Sequence, residues 1–283
     1  MRKTEKAVNL EQAISPIHKA WLFLKRGFLI MVSYRVALLI GLLSSFVGIL
    51  QFGFMARFIS QGNNPPLLAQ YGGNLLAYLI IGSAFTGFVG VSLNSFQGAI
   101  RGEQQMGTLE YLLMSDTPLG AILLYSALWN FLYTLMNTAI LFLFVTVLFD
   151  VPLSINLPAA GFILFLTVLS LSGVGLMSAG MIMVTKQGDP INWVFTTLTG
   201  LLSGVLFPVE MLPSYLQVIS HILPTTHALK ALRLTLIQGV SLSSIMPEIA
   251  FLIITSCFTI PLGLFAFNLG FNKARRTGSL GEY

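Results

Sequence analysis

Charged residues are scarce in this chain of 283 residues: Asp, Glu, Lys and Arg make up 9% of it, whereas soluble domains carry about 25%. Hydrophobic residues make up 55%, and the mean hydropathy is +0.83. A water-soluble globule of this length needs a charged, mixed surface, and a disordered chain needs low hydrophobicity, so both classes are excluded. The composition therefore predicts an integral membrane protein.

The sequence also lacks the residue groupings on which most enzyme chemistry depends. Its single cysteine, Cys257, cannot close an internal disulfide or form a thiolate metal cluster, and we expect it to be a small core residue. No carboxylate pair is spaced for acid–base catalysis, no His/Glu cluster has metal-ligand spacing, and no Gly-rich phosphate loop is present. We therefore expect no catalytic site, no bound metal and no cofactor in this chain.

Long charge-free stretches predict six transmembrane helices, since a hydrocarbon core of about 30 Å takes about 20 apolar residues to cross. The predicted spans are Val36 to Met55, Leu75 to Phe96, Ala121 to Phe149, Ala159 to Val184, Ile191 to Phe207 and Ile249 to Phe271. The predicted fold class is therefore all-α, a polytopic membrane helical bundle. It comprises an interfacial segment at 1–35, a transmembrane domain at 36–271 with a cytoplasmic loop at 97–120 and an external segment at 208–247, and a tail at 272–283.

The distribution of basic residues predicts the orientation. With six spans, twelve of the fifteen Lys and Arg residues fall on the side of the two termini, and three, Arg57, Lys230 and Arg233, fall on the other side. The positive-inside rule then places both termini in the cytoplasm, which makes the chain a multi-pass protein of the cell (plasma or inner) membrane. The basic lead Ala20 to Arg26 is partly amphipathic, and we expect it to lie along the inner surface with Lys25 and Arg26 toward anionic lipid.

The middle of each predicted span lacks ionisable residues. Proton- and ion-coupled carriers keep such residues at depth because they carry the coupling. Energy for any transport would therefore have to enter from outside the spans.

Small residues are abundant in the fourth and fifth spans. Gly200 and Gly204 have a GxxxG spacing. Gly173, Gly175, Ser178, Ala179 and Gly180 crowd the fourth span. Such residues predict close helix packing within one subunit, and a dimer interface or a sliding contact stays an open alternative.

Two segments between the spans have helical periodicity. In the loop after the second span, Met106, Leu109 and Leu113 form one apolar stripe and Pro118 would end the helix. This predicts a short amphipathic helix on the inner surface. The outer segment has two stripes, made of Leu216, Ile219 and Leu223 and of Leu229, Leu232 and Leu236.

The outer stripes predict two short amphipathic helices near the outer leaflet, and the pattern does not distinguish a re-entrant from a surface-lying segment. Arg233 is a rare charge on this side. We expect it to contact a lipid headgroup or to form a salt bridge with Glu210 or Glu248.

Together, these two segments resemble those of type-2 ABC-exporter permeases. The inner loop has Glu103, the run Gly107-Thr108-Leu109-Glu110, and Pro118. The outer segment has Pro208, Leu212-Pro213, Leu223-Pro224-Thr225, Arg233 and Gly239. Their order and their placement on opposite membrane sides match the family, which also has six spans and a basic surface-lying N-terminal segment.

The resemblance implies a permease subunit without an ATPase site, dimeric with a second copy or with a related permease, and paired with two separate ABC ATPase subunits that bind ATP and Mg. It implies export of an amphipathic drug, lipid or glycan, with membrane lipid as surroundings and no nucleic acid partner. The implied ATPase-coupling residues are Glu103, Gly107, Thr108, Leu109 and Glu110. The implied external gate residues are Pro208, Pro213, Pro224, Arg233 and Gly239.

Two other functions stay open at this point. One is a non-transporting membrane scaffold, and the other is an ATP-independent lipid scramblase or channel. Dependence of transport on a partner ATPase would separate both from an exporter.

Overall fold

The computed structural model of the chain describes residues 16–60, 66–105, 107, 111, 114, 118–149, 154–185 and 188–277. These residues form nine α-helices, three short 3-10 segments and no strand among them. The helices are α1 (Pro16–Ser33), α2 (Arg35–Ser60), α3 (Leu75–Gln105), α4 (Leu119–Phe149), α5 (Leu157–Thr185), α6 (Pro190–Leu202), α7 (Ser214–Ile222), α8 (Pro224–Ile237) and α9 (Met246–Arg276).

Five of these helices, α2, α3, α4, α5 and α9, are long and apolar enough to cross a membrane. Each of the five corresponding predicted spans lies wholly within its helix. The all-α prediction is therefore confirmed for the described residues. Hydropathy located these helices because an uninterrupted apolar stretch of about 20 residues has no other common use in a protein.

The fifth predicted span, Ile191 to Phe207, is helical only as far as Leu202. The 13 residues of α6 give a helix about 20 Å long, shorter than the hydrocarbon core of about 30 Å. The helix ends because Gly204 has a φ of +78°, a left-handed conformation that glycine adopts without the steric cost of a Cβ. The six-span count stays a prediction.

Helices α5 and α9 pack directly against each other at two glycine pairs. A Cβ on Gly263 would overlap the backbone of Gly173, and a Cβ on Gly270 would overlap the backbone of Gly180. Both pairs are separated by seven residues on each helix, so the two helices run in the same direction with their backbones in contact. The small-residue stripe of the fourth span is thus used for packing inside one chain, as predicted.

The GxxxG spacing of the fifth span serves no helix contact in the described chain. A Cβ on Gly200 would meet no atom within 4 Å, and Gly204 lies beyond the end of α6. The prediction that this pair packs two helices together within the subunit is wrong, because Gly204 ends the helix, and a dimer interface at Gly200 stays a prediction. By contrast, Gly175 allows α5 to approach the carbonyl of Ser92 on α3.

The two helices of the outer segment have different environments. On α7, Tyr215, Val218 and Ile222 are exposed, as expected for a surface-lying helix. On α8, however, Ala228 and Leu229 are fully buried, because the helix packs among α3, α5 and α9. The two short helices predicted for this segment are therefore found, and of the alternatives left open for the second, a surface-lying position does not fit, because α8 is enclosed by the bundle.

The N-terminal helix α1 has no buried residue and packs on α4 from outside. The rings of Phe23 and Tyr125 are 5.4 Å apart, and a Cβ on Gly27 would overlap the ring of Trp129. Lys25 lies over the ring of Trp21 at 5.2 Å. These contacts fit a helix that lies on the bundle, and its apolar Phe28 and Leu29 are among the exposed side chains.

Large apolar side chains cover the outside of the bundle. Phe54, Phe258 and Phe265 are each more than 60% exposed, which a soluble protein would not tolerate over so wide an area. Cys257 is also exposed, so its predicted place in the core is wrong. It lies on the lipid-type face of α9, where an apolar thiol is as suitable as it is in a core.

Candidate functional site

The end of α3 is the described part of the predicted coupling loop. This helix continues nine residues past the predicted span end and includes Glu103 before it stops at Gln105. Gly107 follows with a φ of +67°, and its N–H donates to the carbonyl of Gln104 at 3.0 Å, so glycine ends the helix here. Thr108, Leu109 and Glu110 lie outside the described residues, and the coupling helix stays a prediction.

Glu103 faces the N-terminal helix. Its Oε1 lies 3.8 Å from Nη2 of Arg26, whose side chain is half exposed. An ion pair at this distance, with one partner half exposed, contributes little to stability, about 0–1 kcal/mol. The pair instead positions α1, because it holds the basic side chain of Arg26 at the end of α3. Sequence reasoning missed this pairing.

The prolines of the outer segment mark the ends of its short elements. Pro208 precedes the 3-10 segment Val209–Met211, and Pro213 precedes α7. Pro224 is the first residue of α8, where its fixed φ suits the helix and its missing N–H costs nothing. Gly239 follows α8 with a φ of +67° and lies so close to Ser154 that a Cβ would be 2.8 Å from its carbonyl oxygen.

Arg233 is buried, with 2% of its surface exposed. Its Nη2 donates to the carbonyls of Tyr78 at 3.2 Å and Val205 at 3.1 Å. The guanidinium carbon lies 3.3 Å from the ring centroid of Tyr78 and 5.7 Å from that of Tyr71. Arg233 therefore ties the non-helical chain after α6 to the start of α3.

This arrangement corrects the expectation for Arg233. Glu248 pairs instead with Lys230, at 2.7 Å, and Glu210 accepts a hydrogen bond from Gln70 at 3.0 Å. A headgroup contact is excluded in this conformation by burial. The partners of Arg233 could not be predicted from the sequence. The carbonyl of Val205 can accept from Arg233 because α6 has already ended, and the apolar pattern predicted a helix through this residue.

Burial lowers the pKa of Arg233 to about 10, and the nearby tyrosines act in the opposite direction. The guanidinium therefore remains charged at neutral pH. Its Nε has no hydrogen-bond partner among the described residues, and the side chain borders a cavity of about 130 Å³. Burying a charge in such a place costs desolvation free energy, which only the contacts of the guanidinium can offset.

A second polar cluster joins three helices at the opposite end of the bundle. The hydroxyl of the fully buried Ser178 on α5 donates to Oδ2 of Asp189 at 2.6 Å and lies 3.2 Å from Oε1 of Gln97 on α3. Asn94 accepts from Nε2 of Gln97 at 2.7 Å and from the side chain of Asn192 on α6. We call these five residues the inner polar cluster.

Asp189 also caps α6, since its Oδ1 accepts from the N–H of Asn192 at 3.0 Å. Asp followed by Pro is a readable helix start, but the partners of Asp189 on α3 and α5 could not be found from local sequence. The inner polar cluster thus links the start of α6 to the helix that carries Glu103.

The family model described as "ABC-2 type transporter" matches residues 18–237. The chain belongs to the ABC-2 type transporter family.

The match begins in α1 and ends at the last residue of α8, so this ABC-2 membrane domain includes both the basic N-terminal helix and the buried outer helix. The family supplies the transmembrane component of ABC transporters, distinct from the ATPase. The chain is therefore a multi-pass membrane permease component, and its family works with ABC ATPase subunits.

A similar curated protein is ABC transporter G family member 20 of Dictyostelium discoideum. It is 28% identical over 173 residues, which are 59% of this chain and 23% of that protein. The chain thus matches less than a quarter of the length of this relative.

The cap of α6 in this ABC-2 chain gives a first prediction. Replacing Asp189 with alanine should destabilise the first turn of α6 by about 1–2 kcal/mol, because both its cap and the partner of Ser178 are lost. Hydrogen exchange of the backbone N–H groups at 191–193 should become faster. Thr196→Ala removes a side-chain hydrogen bond within the same helix without touching the cap, and should leave this exchange unchanged; equal rates in the two variants would contradict the assignment.

Proposed function

We propose that this chain is the permease subunit of an ATP-driven ABC exporter. It forms a translocation pathway as a homodimer or as a heterodimer with a related permease, and two ABC ATPase subunits bind to its cytoplasmic side. These partners bind ATP and Mg²⁺, so the chain itself needs no cofactor. The cargo is an amphipathic compound, a drug, lipid or glycan, moved out of the cytoplasm across the cell membrane.

The supporting observation is an ABC-2 bundle whose membrane-crossing helices have no charge at mid-length. Helices α4 and α5 contain no charged residue, and the charges of α3 are confined to Arg101 and Glu103 at its end. A carrier driven by protons or ions needs a group in the membrane that can bind the coupling ion. With none on these helices, ATP hydrolysis by a partner is the energy source that fits the family.

Helix α3 offers a route for that energy. It runs without interruption for 31 residues, about 46 Å at 1.5 Å per residue, and has no proline. One end holds Tyr78, which contacts Arg233, and the other end holds Glu103. An ATPase that moves the loop after Gln105 would therefore tilt a stiff helix whose far end contacts the outer segment.

The coupling assignment is tested by reversing the charge of Glu110. Glu110→Lys should leave membrane insertion intact but reduce co-purification of the ATPase and ATP-dependent export by about tenfold, since a charge reversal at a contact costs on the order of 1–3 kcal/mol. Arg57→Glu is the matched control, because Arg57 is an exposed charge at the opposite end of a spanning helix.

Co-purification and vesicle transport assays decide between the alternatives. Unchanged partner binding and export in Glu110→Lys would remove the coupling assignment. Cargo movement without nucleotide would indicate a scramblase or channel, and the absence of any movement with the ATPase bound would indicate a scaffold.

A further inference from the structure

Two adjoining cavities form one groove between α1, the start of α2, α3 and α4. Their volumes are about 280 and 380 Å³. Both are lined by Gly27, Ile30, Trp129 and Asn130, so they adjoin at these residues. Ligand pockets usually measure roughly 300–1,000 Å³, and we call the two adjoining cavities together the inner groove.

The inner groove changes from polar to apolar along its length. One end is bordered by Arg26 and Glu103, and the other by Met31, Ala37 and Leu38. Along α4 it extends from Tyr125 to Tyr133, about 12 Å of helix rise. This gradient matches a ligand with a charged head and a hydrocarbon chain.

Glycine keeps the groove open. A Cβ on Gly98 would meet no atom within 4 Å, although Gly98 borders the groove. On the opposite wall, Gly27 allows Trp129 to lie flat against α1. A larger residue at Gly98 would fill the space, whereas one at Gly27 would clash with the ring of Trp129.

The charge of α1 favours an anion at the polar end. The helix has three basic residues, Lys19, Lys25 and Arg26, and no acidic one, and Arg26 lines the cavity itself, beside Glu103 of α3. Arg26 is 53% exposed, and its contact with Glu103 is long, at 3.8 Å, so donors of its guanidinium remain available to a second acceptor. A phosphate that approaches from the lipid surface would meet these cations first.

We propose that the inner groove binds an anionic phospholipid from the leaflet on the side of Glu103, with its phosphate at Arg26 and one acyl chain passing Ile30 and Trp129. This lipid is a resident ligand, distinct from the transported cargo. It would hold α1 at a fixed distance from α3, and its binding does not depend on the proposed coupling to an ATPase.

The three tryptophans of the chain make a direct test possible. Trp21→Phe and Trp193→Phe leave Trp129 as the single fluorophore. The full chain is reconstituted in bilayers that contain equal mole fractions of either brominated phosphatidylglycerol or brominated phosphatidylcholine. Bromine on the acyl chain quenches tryptophan on contact, and we expect stronger quenching of Trp129 by the anionic lipid, with about a fivefold preference from the Arg26 charge.

Three variants in the single-tryptophan chain fix the location. Arg26→Gln should remove the preference for the anionic lipid, and Gly98→Leu should reduce quenching by filling the groove. Gly90→Leu, the matched control, places the same side chain in open space on α3 away from the groove and should change nothing. Equal quenching by both lipids, no quenching by either, or a preference that survives Arg26→Gln and Gly98→Leu would overturn the proposal.

Discussion

Replacing Gly180 with valine is expected to separate α5 from α9 and to lower the free energy of unfolding by about 3 kcal/mol or more. A Cβ on Gly180 would lie 2.7 Å from both the carbonyl oxygen of Ala266 and the Cα of Phe267. These are backbone atoms, which cannot rotate away as a side chain can. The whole helix must therefore shift, and contacts along its length are weakened with it.

The control for this prediction is Gly161→Val on the same helix. A Cβ on Gly161 meets no atom within 4 Å, so the two variants share the same change in helix propensity and differ only in the contact. Thermal unfolding of the detergent-solubilised chain should show a clear drop in midpoint for Gly180→Val alone. Equal midpoints would mean that the close approach of α5 and α9 does not contribute to stability.

Sequence reasoning identified the small-residue stripe on α5 but not its partner. Gly173 and Gly180 stand out in a crowded apolar span, whereas Gly263 and Gly270 are isolated in theirs. Both pairs have a seven-residue spacing in the sequence, but only the fold shows that they face each other. Periodicity predicts which residues share a helix face, but it does not contain the identity of the opposing helix.

The ends of helices were harder to predict than their existence. The apolar pattern ended the second span at Phe96, yet α3 continues to Gln105 because polar residues form helix equally well outside a hydrocarbon core. The pattern also extended the fifth span to Phe207, although Gly204 breaks the helix. Hydropathy predicts which residues prefer lipid, but it does not predict where the backbone stops being helical.

At the candidate sites too, the sequence indicated single residues but not their partners in space. The sequence placed Glu103 in a loop after the second span, whereas it lies in the last turn of α3; its neighbour Arg26 lies 77 positions earlier and could not be predicted. For Arg233, charge and the usual cost of burial favoured the surface. Arg233 is buried instead, because the ring of Tyr78 and the carbonyl of Val205, both distant in sequence, lie together at its guanidinium.

Replacing Arg233 with methionine is expected to lower the free energy of unfolding by about 3–5 kcal/mol, with loss of ATP-dependent export. The carbonyl of Val205 loses a charged donor, worth about 1.5–3 kcal/mol, and Tyr78 loses a desolvated cation over its ring, worth about 2 kcal/mol. The segment after α6 would then no longer be held against α3, while the hydroxyl of Tyr78 keeps its bond to Gly204 at 2.7 Å.

Lysine at this position separates charge from shape. Arg233→Lys retains a cation, but an ammonium cannot stack flat on Tyr78 while one nitrogen also serves two carbonyls, so it should be nearly as unstable as Arg233→Met. Arg57→Gln, which removes an exposed cation from the end of α2, is the control and should cost about 1 kcal/mol or less. If Arg233→Lys matched the parent chain in unfolding midpoint and export, the planar contact would be irrelevant, and only the positive charge would connect α8 to the rest of the outer segment.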